Sequence, residues 1–159
     1  RTPWVSLPNS PENWRISAES GGNPGEDDAI RLMDWMVEHA VLNLNEDRDG
    51  DGRIELWEYV MGSHPDVFDE FSGYQIEFET STEGTVHLNV AFEHQIGADD
   101  IFIVPSISED LKTWNEGVAY VGRSHLGNGM VMTIYQAQLN ALESARQFIR
   151  FNMEALFRE

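Results

Sequence analysis

A twelve-residue segment that begins at Asp47 carries the pattern in this sequence that most directly predicts chemistry. Carboxylates alternate at Asp47, Asp49 and Asp51, and Glu58 closes the run at its twelfth position. Calcium is a hard cation that takes about six to eight oxygen ligands, and alternating carboxylates can surround it from one side while a final glutamate binds through both oxygens. The spacing therefore predicts one calcium ion in this loop.

The remaining positions of the loop complete the predicted ligand set. Arg53 would contribute only its backbone carbonyl, and Glu55 would bind directly or through a water molecule. Gly52 permits the sharp turn, and Ile54 should point inward against the body of the protein. The alternative is an acidic surface turn without a metal, which the mutual repulsion of the carboxylates disfavours. The predicted metal ligands are Asp47, Asp49, Asp51, Arg53, Glu55 and Glu58.

Two helices are predicted around the loop. Apolar residues recur at helical spacing over residues 27 to 44, and Asp27 and Asp28 stand where a helix N-terminus favours negative charge. A second, shorter helix overlaps the end of the loop at Leu56 and Trp57 and ends at Gly62. These signals predict a helix, calcium loop and helix over residues 27 to 66.

Residues 67 to 159 change to a period of two, which is typical of strands. Residues 74 to 78 and 86 to 92 predict a hairpin with one buried face, joined by a turn over 81 to 84. Further strand-like runs cover residues 101–104, 118–121, 130–135 and 148–153, and residues 136–145 are open between a loop and a helical turn. The predicted fold class is α+β, with the helical unit packed on an antiparallel β-sandwich.

Residues 1 to 26 form a third predicted region, an extended arm. Prolines and glycines are frequent and no period is sustained. Trp4 and Trp14 are costly to expose, so we expect them to anchor this arm against the body of the protein.

Composition restricts the partners. The formal net charge is -18 and Lys112 is the only lysine, which disfavours binding to nucleic acid and to anionic membranes. The absence of cysteine excludes disulfides, thiolate metal sites and cysteine nucleophiles. No run of apolar residues is long enough for a membrane span, and no leader precedes Arg1. We therefore expect a soluble chain, and its start at Arg1 rather than at a methionine fits a segment processed or trimmed from something longer.

Other chemistries find less support. The five histidines lack zinc-ligand spacing, and no nucleophile elbow, phosphate loop or dinucleotide motif occurs. We predict no enzymatic activity, with a hydrolase as a distant alternative because glycosidase carboxylates need no motif. Four aromatic residues could instead form a platform on which a sugar stacks, although aromatic residues in such a domain more often pack in the core. The acidic pairs Asp27–Asp28 and Asp99–Asp100 are alternative calcium ligands, but helix capping explains the first pair better and a polar turn explains the second better. The candidate platform comprises Trp57, Trp114, Tyr120 and Tyr135.

The sequence also resembles two known patterns. The loop resembles an EF-hand, although only one loop is present, which favours a structural ion over a switch. The longer string from Asp47 through Glu58 and Tyr59 to Gly62 and Pro65 resembles the D-x-D-G-D-G…E-Y…G-x-x-P segment near the C-termini of large exported proteins of the Verrucomicrobia and Planctomycetes type.

Two further motifs of that group follow in the same order. Its S-x-D-L-x-x-W motif corresponds to residues 108–114, and its short F-[FI]-R-[LF] strand corresponds to residues 148–151, so the resemblance covers residues 43 to 153. It implies a calcium-bearing linker with a β-sandwich, appended to exported proteins.

These observations lead to one functional expectation. We expect a calcium-stabilised structural, adhesion or self-assembly module that is secreted or lies on a cell surface. Its partners would be calcium and copies of itself or other surface proteins. The alternatives are a carbohydrate-binding module of an exported enzyme, with a glycan as partner, and a hydrolase.

Overall fold

The computed structural model describes residues 17–18, 21–22, 24, 27–70, 74–139 and 146–155. Two short helices precede six strands, and every strand pair is antiparallel. The predicted α+β fold class is therefore confirmed. Trp4, Trp14 and most of the predicted arm lie outside the described residues. The elements are α1 (Leu32–Glu38), α2 (Glu55–Met61), β1 (Tyr74–Thr80), β2 (Val86–Gln95), β3 (Ile101–Ser108), β4 (Val118–Gly127), β5 (Met130–Leu139) and β6 (Phe148–Ala155).

The strands form two sheets. The larger has the order β1-β2-β5-β4, and the smaller pairs β3 with β6. Each predicted strand is present. The prediction of a loop or helical turn is wrong for residues 136 to 139, which belong to β5, because Ala137 pairs with Leu88 and Val118 and is fully buried. Residues 140 to 145 lie outside the described part of the chain.

An aromatic cluster joins the two sheets to α2. Phe92 is completely buried, and its ring centroid lies 5.2 Å from that of Phe151 in β6, 5.9 Å from Tyr135 in β5 and 6.3 Å from Trp57 in α2. Aromatic pairs at such separations add to the stability gained by burial. This cluster positions α2, and with it the end of the loop.

The predicted buried face of the first hairpin is wrong for β1. Ile76 and Phe78 are 63% and 70% exposed, although they alternate with polar residues as expected. β1 is an edge strand, and its ring contacts to Trp57, Phe92 and Phe151 are made at its first residue, Tyr74. Alternation of apolar and polar residues therefore predicted the strand, but it could not predict that the apolar side chains of Ile76 and Phe78 are exposed.

The predicted helix over residues 27 to 44 is shorter at both ends. Before it, the amide of Ile30 donates to the carbonyl of Gly97 at 2.9 Å, which holds this segment extended. A Cβ on Gly97 would stand only 2.9 Å from the carbonyl oxygen of Asp28, so only glycine permits this approach. After the helix, Ala40 has a φ of 52°, and Arg48 donates to the carbonyls of His39 and Ala40. Residues 39 to 46 are not helical, so α1 does not run into the loop.

The predicted capping role of Asp27 and Asp28 is also wrong. Asp28 accepts hydrogen bonds from the hydroxyl of Ser17 and the amide of Ala18, at 2.8 and 2.7 Å. The amide of Leu32, the first residue of α1, instead donates to Asp100 at 2.7 Å. Asp100 was expected only in a polar turn, and it caps a helix that lies 68 residues earlier in the chain.

Candidate metal centre

The three alternating aspartates of the loop lie together. One carboxylate oxygen from each of Asp47, Asp49 and Asp51 falls within a cluster whose members are at most 4.8 Å apart. This is the one such group of three or more histidine, aspartate or glutamate side chains among the described residues. The structure thus brings together the first, third and fifth positions of the predicted ligand set.

Backbone amides hold these carboxylates in place. Asp47 accepts from the amides of Gly50 and Gly52, at 2.8 and 3.0 Å, while Asp49 accepts from the amide of Asp51 at 3.0 Å. Gly52 has a φ of 95°, a conformation that side chains with a Cβ rarely adopt, so its predicted role in the turn is confirmed. Such bonds orient the carboxylates while leaving them further lone pairs for a ligand.

The base of the loop is closed by the start of α2. The amide of Glu55 donates to the carbonyl of Glu46 at 2.8 Å, and the amide of Leu56 donates to the carbonyl of Leu44 at 3.1 Å. Ile54 precedes the helix in an extended conformation and is half-buried. The helix then ends at Gly62, as predicted. The loop therefore begins and ends on fixed backbone positions.

Two glutamates of α2 are completely buried. Glu55 and Glu58 each have zero exposure, and neither oxygen of Glu58 has a hydrogen-bond partner in the described part of the chain. A second oxygen of Asp49 is buried without a partner in the same way. Unpartnered buried carboxylate oxygens are strongly unfavourable unless a proton or a cation accompanies them.

The electrostatics place Glu58 beside the other carboxylates. Its burial, followed by the charges of Asp49, Glu55 and Asp51, raises the pKa of Glu58 to about 8. Burial also acts to raise the pKa of Asp51, but hydrogen bonds from Arg53 outweigh it and hold that pKa below its usual value. The carboxylates around Glu58 thus form a local excess of negative charge, which favours the protonated form of Glu58 in the absence of a cation.

Two arginines within the loop take part in a way that the sequence did not indicate. Arg53 was expected to offer only its carbonyl, but its side chain forms ion pairs with Asp51 and with Asp69. Arg48 forms ion pairs with Glu55, at 3.1 Å, and with Asp66, at 3.3 Å. The consensus of such loops leaves the second position open, so Arg48 carries no motif signal.

These donors fit a hard divalent cation. Oxygens from Asp47, Asp49 and Asp51 already converge, and Glu58, which lies outside that cluster, would supply two buried oxygens at the closing position. Calcium prefers such an all-oxygen set with both monodentate and bidentate carboxylates. The carbonyl of Arg53 and the side chain of Glu55 complete the set that could hold the ion.

The four aromatic residues considered as a sugar platform are divided among three environments. Trp57 and Tyr135 both contact Phe92 in the aromatic cluster. Trp114 lies under the guanidinium of Arg150, whose central carbon is 4.1 Å from the ring centroid. Tyr120 remains 56% exposed beside Tyr135. This arrangement offers no single stacking surface from all four rings.

Comparisons of the chain with protein-family models, with curated proteins and with solved structures found no match. No described helix is long and apolar enough to cross a membrane.

Proposed function

We propose that this chain is a calcium-stabilised structural module, without catalytic activity, of a secreted or cell-surface protein. The observation that carries the proposal is the environment of Glu58. This carboxylate is fully buried and unpartnered within the described residues, and the charges of Asp49 and Asp51, two of the three converging aspartates, act on it. A calcium ion would neutralise this excess charge and occupy the unpartnered oxygens.

A structural role follows from what α2 contacts. Trp57, the neighbour of Glu58, packs on Tyr74 and Phe92 of the larger sheet, and the backbone carbonyl of Tyr59 accepts a hydrogen bond from Gln95 in β2. An ion bound by Glu58 would therefore fix the N-terminal turn of a helix that already packs on the β domain. Binding would stabilise the whole fold because the unfolded chain cannot assemble these ligands.

The finer architecture belongs to the same proposal. We propose that the two sheets are the layers of a β-sandwich and that the loop with its flanking helices is an EF-hand-like unit packed on it. The contacts of Phe151 with Tyr74, Phe92 and Tyr135 support face-to-face packing of the sheets. The eight non-helical residues between α1 and the loop make the unit differ from a regular helix–loop–helix.

The larger task that we propose is adhesion, scaffolding or self-assembly, through contacts with copies of the chain or with other surface proteins. Its support is the resemblance of residues 43 to 153 to modules appended to exported proteins. Carbohydrate binding stays the runner-up, although the separated aromatic rings give it no platform, and a hydrolase stays a distant third.

Thermal unfolding tests the calcium proposal. We expect the wild-type chain to melt at a clearly higher temperature with millimolar calcium than with a chelator. The variant Asp49→Asn should lose most of this difference, because it removes one ligand charge from the cluster. The matched variant Asp34→Asn, in the exposed first turn of α1, should keep it. Equal melting of the wild type in calcium and chelator would refute the proposal.

A further inference from the structure

Two positively charged side chains within the loop, Arg48 and Arg53, each form an ion pair with a proposed calcium ligand. The guanidinium of Arg48 lies 3.1 Å from an oxygen of Glu55, whose side chain is fully buried. The same group also reaches Asp66 at 3.3 Å and donates to the carbonyls of His39 and Ala40, at 3.0 and 3.3 Å. Arg48 is therefore fixed by four partners, one of which is Glu55, the proposed ligand at the ninth position of the loop.

Arg53 pairs in the same manner with Asp51, the proposed ligand at the fifth position. Its guanidinium contacts a carboxylate oxygen of Asp51, whose side chain is fully buried, and an oxygen of Asp69. The backbone amide of Arg53 donates to the other oxygen of Asp51 at 2.8 Å. Both oxygens of this proposed ligand thus already have a positively polarised partner.

The remaining proposed ligands have no such partner. Among the ion pairs of the described residues, none reaches Asp47, Asp49 or Glu58. The twelve-residue loop carries five carboxylates and two arginines, so the arginines neutralise only part of its charge. The same loop therefore contains carboxylates that are paired with an arginine and carboxylates that are not.

We propose that Arg48 and Arg53 are built-in counter-charges that hold the acidic loop folded before calcium binds and thereby lower its affinity for calcium. This inference rests on the calcium site proposed above and adds what sets its affinity. Each guanidinium occupies an oxygen that the ion would otherwise use, and each repels the incoming divalent charge. The chain would then bind calcium only where the ion is abundant, as it is outside cells.

The thermodynamic consequence can be stated by linkage. Removal of a guanidinium leaves a buried carboxylate without its counter-charge, which destabilises the ion-free chain strongly. The calcium-bound chain loses less, because the ion supplies positive charge at the same place. Since affinity reflects the difference between these two states, it must rise when the arginine is removed.

Calorimetric titration with calcium chloride at constant ionic strength tests the inference on the full chain. We expect Arg48→Met and Arg53→Met each to bind calcium roughly three- to tenfold more tightly than the wild type, from the loss of one repelling charge a few ångströms away. Arg31→Met is the matched control, since its ion pair with Asp27 is exposed and lies outside the loop, and its affinity should equal that of the wild type.

Thermal melts of the same variants, with and without calcium, test the inference even if a variant is too unstable for calorimetric titration. In chelator, Arg48→Met and Arg53→Met should melt below the wild type, and calcium should restore most of the loss. A variant that folds only with calcium would support the inference in the same way. Unchanged or weaker affinity, or failure of both variants to fold even in saturating calcium, would overturn it. A wild type that binds no calcium would instead overturn the proposed function.

Discussion

The hydroxyl of Tyr59 in α2 lies 2.5 Å from a carboxylate oxygen of Asp100, the residue before β3. The other oxygen of Asp100 accepts a hydrogen bond from the amide of Leu32 at the start of α1. Tyr59 also contacts the carbonyl of Ile30 and is fully buried. The carboxylate of Asp100 therefore joins both helices to the start of β3. It also fixes the position of α2, which contains the last residues of the proposed calcium loop.

Removal of this hydroxyl should destabilise the chain. We expect Tyr59→Phe to lower the free energy of unfolding by about 2 kcal/mol, because a part-buried hydrogen bond from the hydroxyl to the carboxyl group of Asp100 is lost. Tyr120→Phe, at a tyrosine that is 56% exposed, should change it by less than about 0.5 kcal/mol. Urea denaturation of both variants measures the difference, and equal effects would argue against the role of Asp100.

The turn after β3 holds a strained leucine. Leu111 has a φ of 61° and is 56% exposed, and Asp110 fixes the turn by accepting from the amides of Lys112 and Thr113, at 2.8 and 2.7 Å. Side chains with a Cβ avoid this conformation, so Leu111→Gly should raise the free energy of unfolding by about 0.5 kcal/mol. Lys112→Gly, at an ordinary φ, should lower it instead. A loss of stability in both variants would show that the leucine side chain itself stabilises the turn.

The acidity of the site gives a prediction about pH. Burial and the neighbouring charges of Asp49, Glu55 and Asp51 raise the pKa of Glu58 from 4.5 to about 8. Between these values the folded ion-free chain binds more protons than the unfolded chain, so its stability should fall as the pH rises through this window. Calcium needs the ionised carboxylate, so calcium affinity should rise over the same window.

Calorimetry checks this in two buffers that differ in ionisation enthalpy. Titration with calcium near pH 6 should release up to about one proton per ion, and near pH 8 less. In chelator, Glu58→Gln should melt with a weaker pH dependence than the wild type. Affinity that is flat across the window, with no proton release, would exclude Glu58 as the coupled group.

Much of the fold could be predicted from the sequence because it depends on local pattern. The period of two identified the first two strands, strand-like runs between glycine, asparagine and charged clusters identified the other four, and the end of α2 followed from Gly62. The start of α1 could not be predicted, because it is set by Gly97 and Asp100, which are distant in sequence. The exposure of Phe78 could not be predicted either, since alternation gives a strand its two faces but not what covers them.

The candidate site divides in the same way. The convergence of Asp47, Asp49 and Asp51 follows from their spacing in the loop, and the sequence predicted it. The ion pairs of Arg48 with Asp66 and of Arg53 with Asp69 depend on where the chain runs after α2. Those segments carry no recognisable motif. The sequence could therefore indicate the ligands, but not the cations placed against them.

The closing position of the loop is where the account is tested most directly. Glu58 would bind the ion through both of its unpartnered oxygens, whereas Glu55 already shares one oxygen with Arg48. Glu58→Gln should therefore weaken calcium binding at least about tenfold more than Glu55→Gln does.

Calorimetric titration of the wild type, Glu58→Gln and Glu55→Gln with calcium, paired with thermal melts in calcium and in chelator, is the measurement that decides. The account predicts one ion bound per wild-type chain, a stabilisation of about 2.7 kcal/mol at a hundredfold excess of calcium over Kd, and near-complete loss of both in Glu58→Gln. A wild-type chain that takes up no calcium at millimolar concentration, and that melts identically in chelator, would contradict the site and the structural role built on it.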